Sequence, residues 1–201
     1  MNGNQNFVVV LDISEENAVS ASPTKNDDDI AGMNDKAVKK ASAGKHLTFF
    51  LDDEEYAVEI LKVHEIIGML PVTHVPGAPQ YVLGILNLRG NVIPVVDLRS
   101  KFGMHRTEET SETCIIVVQA RGIRMGAVVD RVSEVMDITE DEIQETPSFG
   151  VNVNTNFILG IGKTSGKVKL LLDIDEVLTT DEAIEMKAVA KEVHKTVSEA
   201  A

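Results

Sequence analysis

Two aspartates at matching positions of a repeated sequence are the first candidates for catalysis. Asp97 and Asp173 each follow a Val/Leu-rich run and precede a short helical pattern. Bilobal aspartic hydrolases use one carboxylate from each lobe, so this pair would fit hydrolysis by two shared carboxylates. Those sites also need a small hydroxyl residue and a glycine after each aspartate, whereas Leu98-Arg99 and Ile174-Asp175 follow here. The simpler interpretation is that each carboxylate caps a helix, and we predict no catalytic residue.

Three other motifs match known chemical sites only in part. Gly162-Lys163-Thr164 ends like a phosphate-binding loop, but a strand pattern follows it where that loop requires a helix. Gly68 stands where a zinc-binding helix beginning at His64 would carry its second histidine. Cys114, the one cysteine, lies in an apolar run typical of a buried, unreactive thiol. We therefore expect no metal, no cofactor and no enzymatic activity.

The chain contains one sequence unit twice. Residues 81–98 recur at 157–174, and residues 56–66 recur at 125–135 with a smaller offset, so the second copy carries an insertion. Residues that both copies keep are expected to be structural, and those that one copy keeps are candidates for function. The kept residues include four glycines that we assign to structural turns: Gly84, Gly90, Gly160 and Gly166.

Composition excludes several classes of protein. The 201 residues carry a net charge of −13, and no basic stripe is present that would follow a phosphate backbone, so nucleic acid is not expected as a partner. The apolar run at Phe7–Leu11 ends at Asp12 and is too short for a signal peptide or a membrane span. We expect a cytoplasmic protein without direct membrane insertion.

Composition and hydrophobic periodicity divide the chain into three parts. Residues 1–45 are polar in their larger part and predict a flexible N-terminal extension, in which residues 14–45 are either a linker or a marginal helix. Residues 46–178 predict two interleaved small barrels, approximately 46–112 and 113–178. Residues 179–201 change to helical periodicity and predict a C-terminal helix. Short β-branched runs predict strands at 47–51, 56–60, 72–75, 92–96, 114–120, 123–129 and 168–172.

Two segments together resemble the signature of the CheW-type chemotaxis coupling proteins. They are Asp53–Ile66 and Gly84–Arg99, which includes Asn87-Leu88-Arg89-Gly90 and Pro94-Val95-Val96-Asp97. The resemblance extends from about Leu47 to Leu178. It implies an all-β fold of two five-stranded SH3-like barrels with short helices and a C-terminal helix.

The same resemblance implies a function in signal transduction. Family members are non-catalytic adaptors that join the CheA histidine kinase, through its CheW-like regulatory domain, to methyl-accepting chemotaxis receptors in a membrane receptor array. An alternative is a CheW-like scaffold of another receptor–kinase pathway, in motility or gene regulation. The related CheV proteins and the kinase itself carry further domains, for which residues 1–45 and the C-terminal segment leave no room.

By motif position, the resemblance assigns a receptor-binding groove between the two barrels. Its residues would be Val63, Glu65, Arg89, Ile115 and Val132. Val63 and Val132 are repeat counterparts, and the competing interpretation is that they are core valines. Arg89, a turn arginine that only one copy keeps, is either a solvated surface charge or a donor to a receptor carboxylate, and the resemblance favours the second role.

One aromatic residue lies in the insertion of the second copy. Phe149 is surrounded by Pro, Ser, Gly and Asn. The resemblance implies that it binds the kinase, whereas the alternative is that it folds back onto its own barrel.

Overall fold

The computed structural model describes residues 8–10, 40–105, 107–146, 156–164, 166–178, 181–182 and 188. Within these residues the fold is nearly all β. The strands are β1 (Val8–Val10), β2 (Gly44–Leu51), β3 (Glu54–Glu59), β4 (Val63–Gly68), β5 (Val82–Leu88), β6 (Asn91–Asp97), β7 (Cys114–Ala120), β8 (Ile123–Val129), β9 (Arg131–Ile138), β10 (Ile143–Gln144), β11 (Ile158–Thr164) and β12 (Lys167–Leu172). Single-turn helices are α1 (Leu98–Lys101) and α2 (Ile174–Val177), and 3₁₀ turns lie at Ile60–Lys62 and Glu140–Glu142.

The strands form two sheets that follow the sequence repeat. The first sheet has the order β1-β4-β7-β8-β6-β5, and the second has the order β10-β11-β12-β3-β2-β9. Without the additional edge strands β1 and β10, each sheet has five strands in an equivalent order. In each, one parallel pair, β6 with β8 or β12 with β3, joins strands of different copies. The predicted all-β fold with two small units is confirmed.

The boundary that we predicted between the two units is wrong in its position. The first sheet takes β4, β5 and β6 from the first copy but β7 and β8 from the second, and the second sheet shows the reverse exchange. The units are therefore formed by residues 63–129 and by residues 44–59 with 131–172. Sequence order does not reveal this exchange, because a hairpin from either copy offers the same backbone hydrogen bonds.

The expectation of a flexible extension over residues 1–45 does not hold at Val8–Val10 or at the start of β2. Val8–Val10 form β1 and pair antiparallel with β4, and β2 already begins at Gly44. Three consecutive valines have a high strand propensity, and the outer edge of β4 offers unpaired backbone groups. Residues 1–7 and 11–39 lie outside the described residues. So does most of the predicted C-terminal helix, of which residues 181–182 and 188 are helical.

Residues 72–75, predicted as a strand, form only one bridge, between Thr73 and Ile85. Pro71 and Pro76 flank this segment. Because proline has no backbone N–H to donate, the pairing cannot extend in either direction.

Three hydrophobic clusters hold the sheets. The largest lies between them and includes Leu47, Phe49, Val63, Ile116 and Met125. A second cluster takes residues from β4, β5, β6, β7 and β8, including both ends of the five-strand order, so the first sheet curls around its own core. A smaller cluster joins β3, β9 and β12 in the same way. Each sheet thus uses one face for its own core and one for the shared core, as expected for two small barrels packed together.

The four repeated glycines have two different structural roles. Gly90 and Gly166 lie in hairpin turns with φ of +86° and +76°. Gly84 and Gly160 are not in turns, and our assignment of them to turns is corrected. They lie in β5 and β11 at equivalent bulges. A Cβ on Gly84 would lie 2.1 Å from the carbonyl oxygen of Thr73, and one on Gly160 would lie 2.9 Å from that of Gln144. Close approach of another backbone segment excludes a side chain at both positions.

Candidate partner-binding surface

An exposed ion pair lies where the β5–β6 hairpin meets β4. Arg89 occupies the hairpin turn with φ of +53°, next to Gly90, and the Asn87 side chain accepts a hydrogen bond from the Gly90 N–H at 2.9 Å. This two-residue turn with positive φ matches the twist of a hairpin and fixes the direction of the Arg89 side chain. The Arg89 Nη2 donates to Glu65 Oε2 at 3.0 Å.

The two partners of this ion pair differ in exposure. The Arg89 side chain is 61% exposed, whereas that of Glu65 is 13% exposed. Glu65 therefore acts as a fixed support that orients a solvent-facing guanidinium. A guanidinium carries five N–H donors, so a second carboxylate can bind to the exposed side of Arg89.

The remaining predicted receptor-binding residues are less accessible. Val63 lies in the shared core at 3% exposure, and Ile115 lies in the core of the first sheet at 0%. Both side chains are enclosed by neighbouring core residues, so their burial leaves neither accessible for direct contact with a partner. Val132 is half-buried and packs against the cluster that contains Val63. Val63 and Val132 therefore both belong to the apolar region between the sheets.

Phe149, the predicted kinase-binding residue, lies outside the described residues. The strands on either side of its loop are described. Gln144 at the end of β10 pairs with Ile161 in β11, so the loop leaves and returns at the outer edge of the second sheet.

The repeat-related aspartates are helix caps. Asp97 accepts hydrogen bonds from the Ser100 N–H at 3.3 Å and from the Ser100 hydroxyl at 2.8 Å. Asp173 accepts from the Asp175 N–H at 3.0 Å. Each carboxylate thus stabilises the first turn of its own helix. Among the described residues, no group of three His, Cys, Asp or Glu side chains is arranged to hold a metal ion.

Burial also determines the protonation state of Cys114. Burial of Cys114 raises the pKa of its thiol to about 11. The thiol therefore remains protonated at neutral pH, in agreement with a structural role.

A charged cluster around Arg99 was not predicted from the sequence. Its Nε donates to both carboxylate oxygens of Asp130 at 2.8 and 2.9 Å, its Nη2 donates to Asp52 at 3.2 Å, and its Nη1 donates to the carbonyl of His105 at 3.0 Å. Hydrogen bonding to Asp130 raises the pKa of the Arg99 guanidinium, which stays charged.

An equivalent cluster in the other half has the charges reversed. Asp175, the repeat counterpart of Arg99, accepts from Lys62 Nζ at 2.7 Å and from the Arg121 N–H at 2.7 Å. Arg121 is the counterpart of Asp52, and its guanidinium lies 2.9 Å from Glu176. The signal was present in the sequence: two pairs of repeat counterparts carry opposite charges.

The similarity to known proteins extends over strands of both sheets. A family model of the CheW-like domain matches residues 45–182, which include β3 to β12 and most of β2. The chain belongs to the CheW-like family. The resemblance seen at residues 53–66 and 84–99 is thereby confirmed.

Individual CheW relatives match over most of their own length. The chemotaxis protein CheW of Klebsiella aerogenes is 37% identical over 145 residues, which cover 72% of this chain and 87% of the relative. The chemotaxis protein CheW of Rhizobium meliloti is also 37% identical, over 149 residues that cover 70% and 96%. The crystal structure of the scaffolding protein TtCheW from Thermoanaerobacter tengcongensis is 33% identical, with a TM-score of 0.64, and the match covers 70% of this chain and 96% of that one.

The CheW-like match leaves β1 outside it, because it begins at residue 45. It includes Arg89, Glu65 and the charged clusters of both halves. In the part of the chain that the structure describes, no helix has the length and hydropathy needed to cross a bilayer.

Proposed function

We propose that this protein is a non-catalytic chemotaxis scaffold that couples the cytoplasmic tips of methyl-accepting receptors to a CheA-type histidine kinase. The observation that carries the proposal is the CheW-like match over both sheets. Relatives that match over nearly their full length are named chemotaxis protein CheW, and one solved relative is described as a scaffolding protein. The helix-capping roles of Asp97 and Asp173 support a non-catalytic function.

The receptor-binding surface of this proposal is centred on Arg89. Its exposed guanidinium, oriented by Glu65, presents donors to a carboxylate on the helical receptor tip. Val132 would contribute a half-buried apolar contact to the groove. Val63 and Ile115 act from behind this surface, by filling the cores that hold β4 and β7 in place.

The kinase-binding surface is proposed at the outer edge of the second sheet. The loop that carries Phe149 begins and ends at the edge of the second sheet, between β10 and β11. An aromatic side chain among small polar residues is a common anchor for a pocket on a partner domain. The two partners would then bind to different parts of the molecule, as coupling requires, and they would recruit it to the cytoplasmic side of the receptor array.

Recovery of partners from native lysate tests the proposal. The full chain with an affinity tag is expected to retain both a CheA-type kinase and chemoreceptors, and an Arg89→Ala variant is expected to retain the kinase while losing receptors. Recovery of a kinase and receptors of a different pathway would assign the scaffold to motility or gene regulation. Recovery of neither class would contradict the proposal.

A further inference from the structure

The strand β1 adds an edge to the first sheet that the repeat does not explain. Its three residues pair antiparallel with β4 in the register Val8 with Ile67, Val9 with Ile66 and Val10 with Glu65. Val8–Val10 have no counterpart in the second copy, and they precede the CheW-like match, which begins at residue 45. The strand is therefore an addition of this chain to the repeated unit.

The equivalent edge of the other sheet is different. β9 is the repeat counterpart of β4 and forms the end of its sheet, beyond β2. Among the described residues, no strand pairs with the outer side of β9. β1 thus breaks the internal symmetry at one position, on the strand that carries Glu65.

The register places β1 next to the proposed receptor-binding surface. Val10 pairs with Glu65, and Glu65 holds the guanidinium of Arg89 at 3.0 Å. We propose that β1 is a displaceable internal strand that competes with the receptor tip for this side of β4. The inference rests on the proposed function, because it names the ligand of the same surface.

The small size of β1 makes displacement feasible. A strand of three residues is marginally stable by itself. Its covalent connection to the rest of the chain makes the pairing intramolecular, which raises its effective concentration at the β4 edge. A competitor of this kind lowers the apparent affinity of the receptor by the fraction of molecules in which the edge is free.

A proline pair in the full-length chain tests the competition. In an antiparallel pair, the backbone N–H of one residue points to the partner strand and that of the next residue points away. Val9→Pro with Val10→Pro therefore removes at least one N–H that points to β4. Asn4→Pro with Gln5→Pro, which lies before β1, is the matched control. If β1 is docked in about nine of ten molecules, the Val9/Val10 variant should bind a receptor-tip fragment about tenfold more tightly, whereas the control should bind like the wild type.

Two further measurements separate the possible failures. Amide hydrogen exchange along residues 65–67 reports the pairing of β1 without any receptor. The amides that point to β1 should exchange faster in the Val9/Val10 variant only, whereas the amides that point to β7 should be unchanged in both variants. A synthetic peptide of residues 5–13, added to that variant, should restore the lower receptor affinity, and the same peptide with proline at positions 9 and 10 should not.

Each result then has one meaning. Accelerated exchange with unchanged or weaker receptor binding would overturn the competition, and unchanged exchange would show that β1 does not pair in solution. If the receptor fragment binds none of the proteins, the proposed function fails and the competition fails with it. In that case the exchange data still report on the strand pairing separately.

Discussion

Two arginines of the first repeat copy differ in solvent exposure and in the number of their polar contacts. The Arg89 side chain is 61% exposed and has one ion pair with Glu65. Arg99 is 10% exposed and makes several hydrogen bonds to Asp130, Asp52 and His105. A buried guanidinium with satisfied donors is part of the scaffold, whereas an exposed and oriented one is available for recognition. Charge alone does not separate these roles, but the environment of each side chain does.

Arg89→Ala is expected to weaken receptor binding without affecting stability. Loss of a charge-assisted hydrogen bond would cost about 1 to 3 kcal/mol of binding free energy. The exposed pair with Glu65 contributes at most about 1 kcal/mol to folding. Isothermal titration with a receptor-tip fragment and urea unfolding measure the two effects.

Two variants sharpen this measurement. Arg124→Ala removes an exposed arginine on β8 and is the control, because it changes the net charge equally. Arg89→Lys should restore binding only in part, because an ammonium group lacks the planar fork. Receptor affinity that is equal in the Arg89→Ala and Arg124→Ala variants would remove Arg89 from the binding surface.

At the level of elements, the parallel pair of β3 and β12 contains a buried ion pair. Lys169 and Glu55 are 3% and 8% exposed, and Lys169 Nζ lies 3.2 Å from Glu55 Oε2. The repeat counterpart of Lys169 is Ile93, which is buried at 3% in the first sheet. The same structural position therefore holds a charge in one sheet and an aliphatic side chain in the other. A buried ion pair of this kind contributes little net stability, but removal of one partner leaves the other charge buried and unpaired.

Lys169→Ile should accordingly destabilise the protein strongly by itself. The expected loss is about 3 to 5 kcal/mol of the free energy of unfolding, because the Glu55 carboxylate remains buried without its partner. The double variant Lys169→Ile with Glu55→Leu should recover most of this loss, since neither charge is then left buried without its partner. Urea unfolding of the wild type, both single variants and the double variant forms the required cycle. Losses that simply add would show that the two side chains do not interact.

Strands were predictable from the sequence where apolar β-branched runs are uninterrupted, as at 114–120 and 123–129, which are β7 and β8. β9 was not predicted, because the consecutive Ser133 and Glu134, together with Asp137, interrupt its apolar residues and leave neither a continuous apolar run nor a strict alternation. For the candidate site, the turn at Arg89 was predictable from its neighbouring glycine. Its pairing with Glu65 was not, because it depends on how the sheet curls and brings β4 and the β5–β6 hairpin together.

At the level of the whole molecule, the repeat creates a problem of correct assembly. Each sheet accepts a hairpin from the other copy, and the β2–β3 and β7–β8 hairpins offer equivalent backbone hydrogen bonds. The hairpin turns carry opposite charges: the Asp52 carboxylate pairs with Arg99, whereas the Arg121 guanidinium pairs with Glu176 and the Arg121 N–H donates to Asp175. If the hairpins exchanged places, Asp52 would face Asp175 and Arg121 would face Arg99. We interpret the reversed charges as a device that disfavours this alternative assembly, because like charges in contact destabilise it.

Exchange of the two turn charges tests this interpretation. The double variant Asp52→Arg with Arg121→Asp keeps composition and net charge but places like charges together in both halves. Backbone strain should not confuse the result, since both turn positions have positive φ, of +59° and +45°, and arginine occupies such a position at Arg121 and Arg89. We expect a loss of about 2 to 4 kcal/mol in the free energy of unfolding, from several broken hydrogen bonds to charged groups.

The matched control exchanges the exposed charges of Arg124 and Asp137, which lie outside both clusters. Urea unfolding at low and high salt should show a loss for the Asp52/Arg121 variant that shrinks as salt rises, because part of the repulsion lies near the surface and is screened. The yield of refolded monomer should fall in that variant alone, since the alternative hairpin placement is then favoured by charge. If the two double variants unfold and refold alike, the reversed charges do not direct assembly, and the correct pairing must come from the differing core residues of the two sheets.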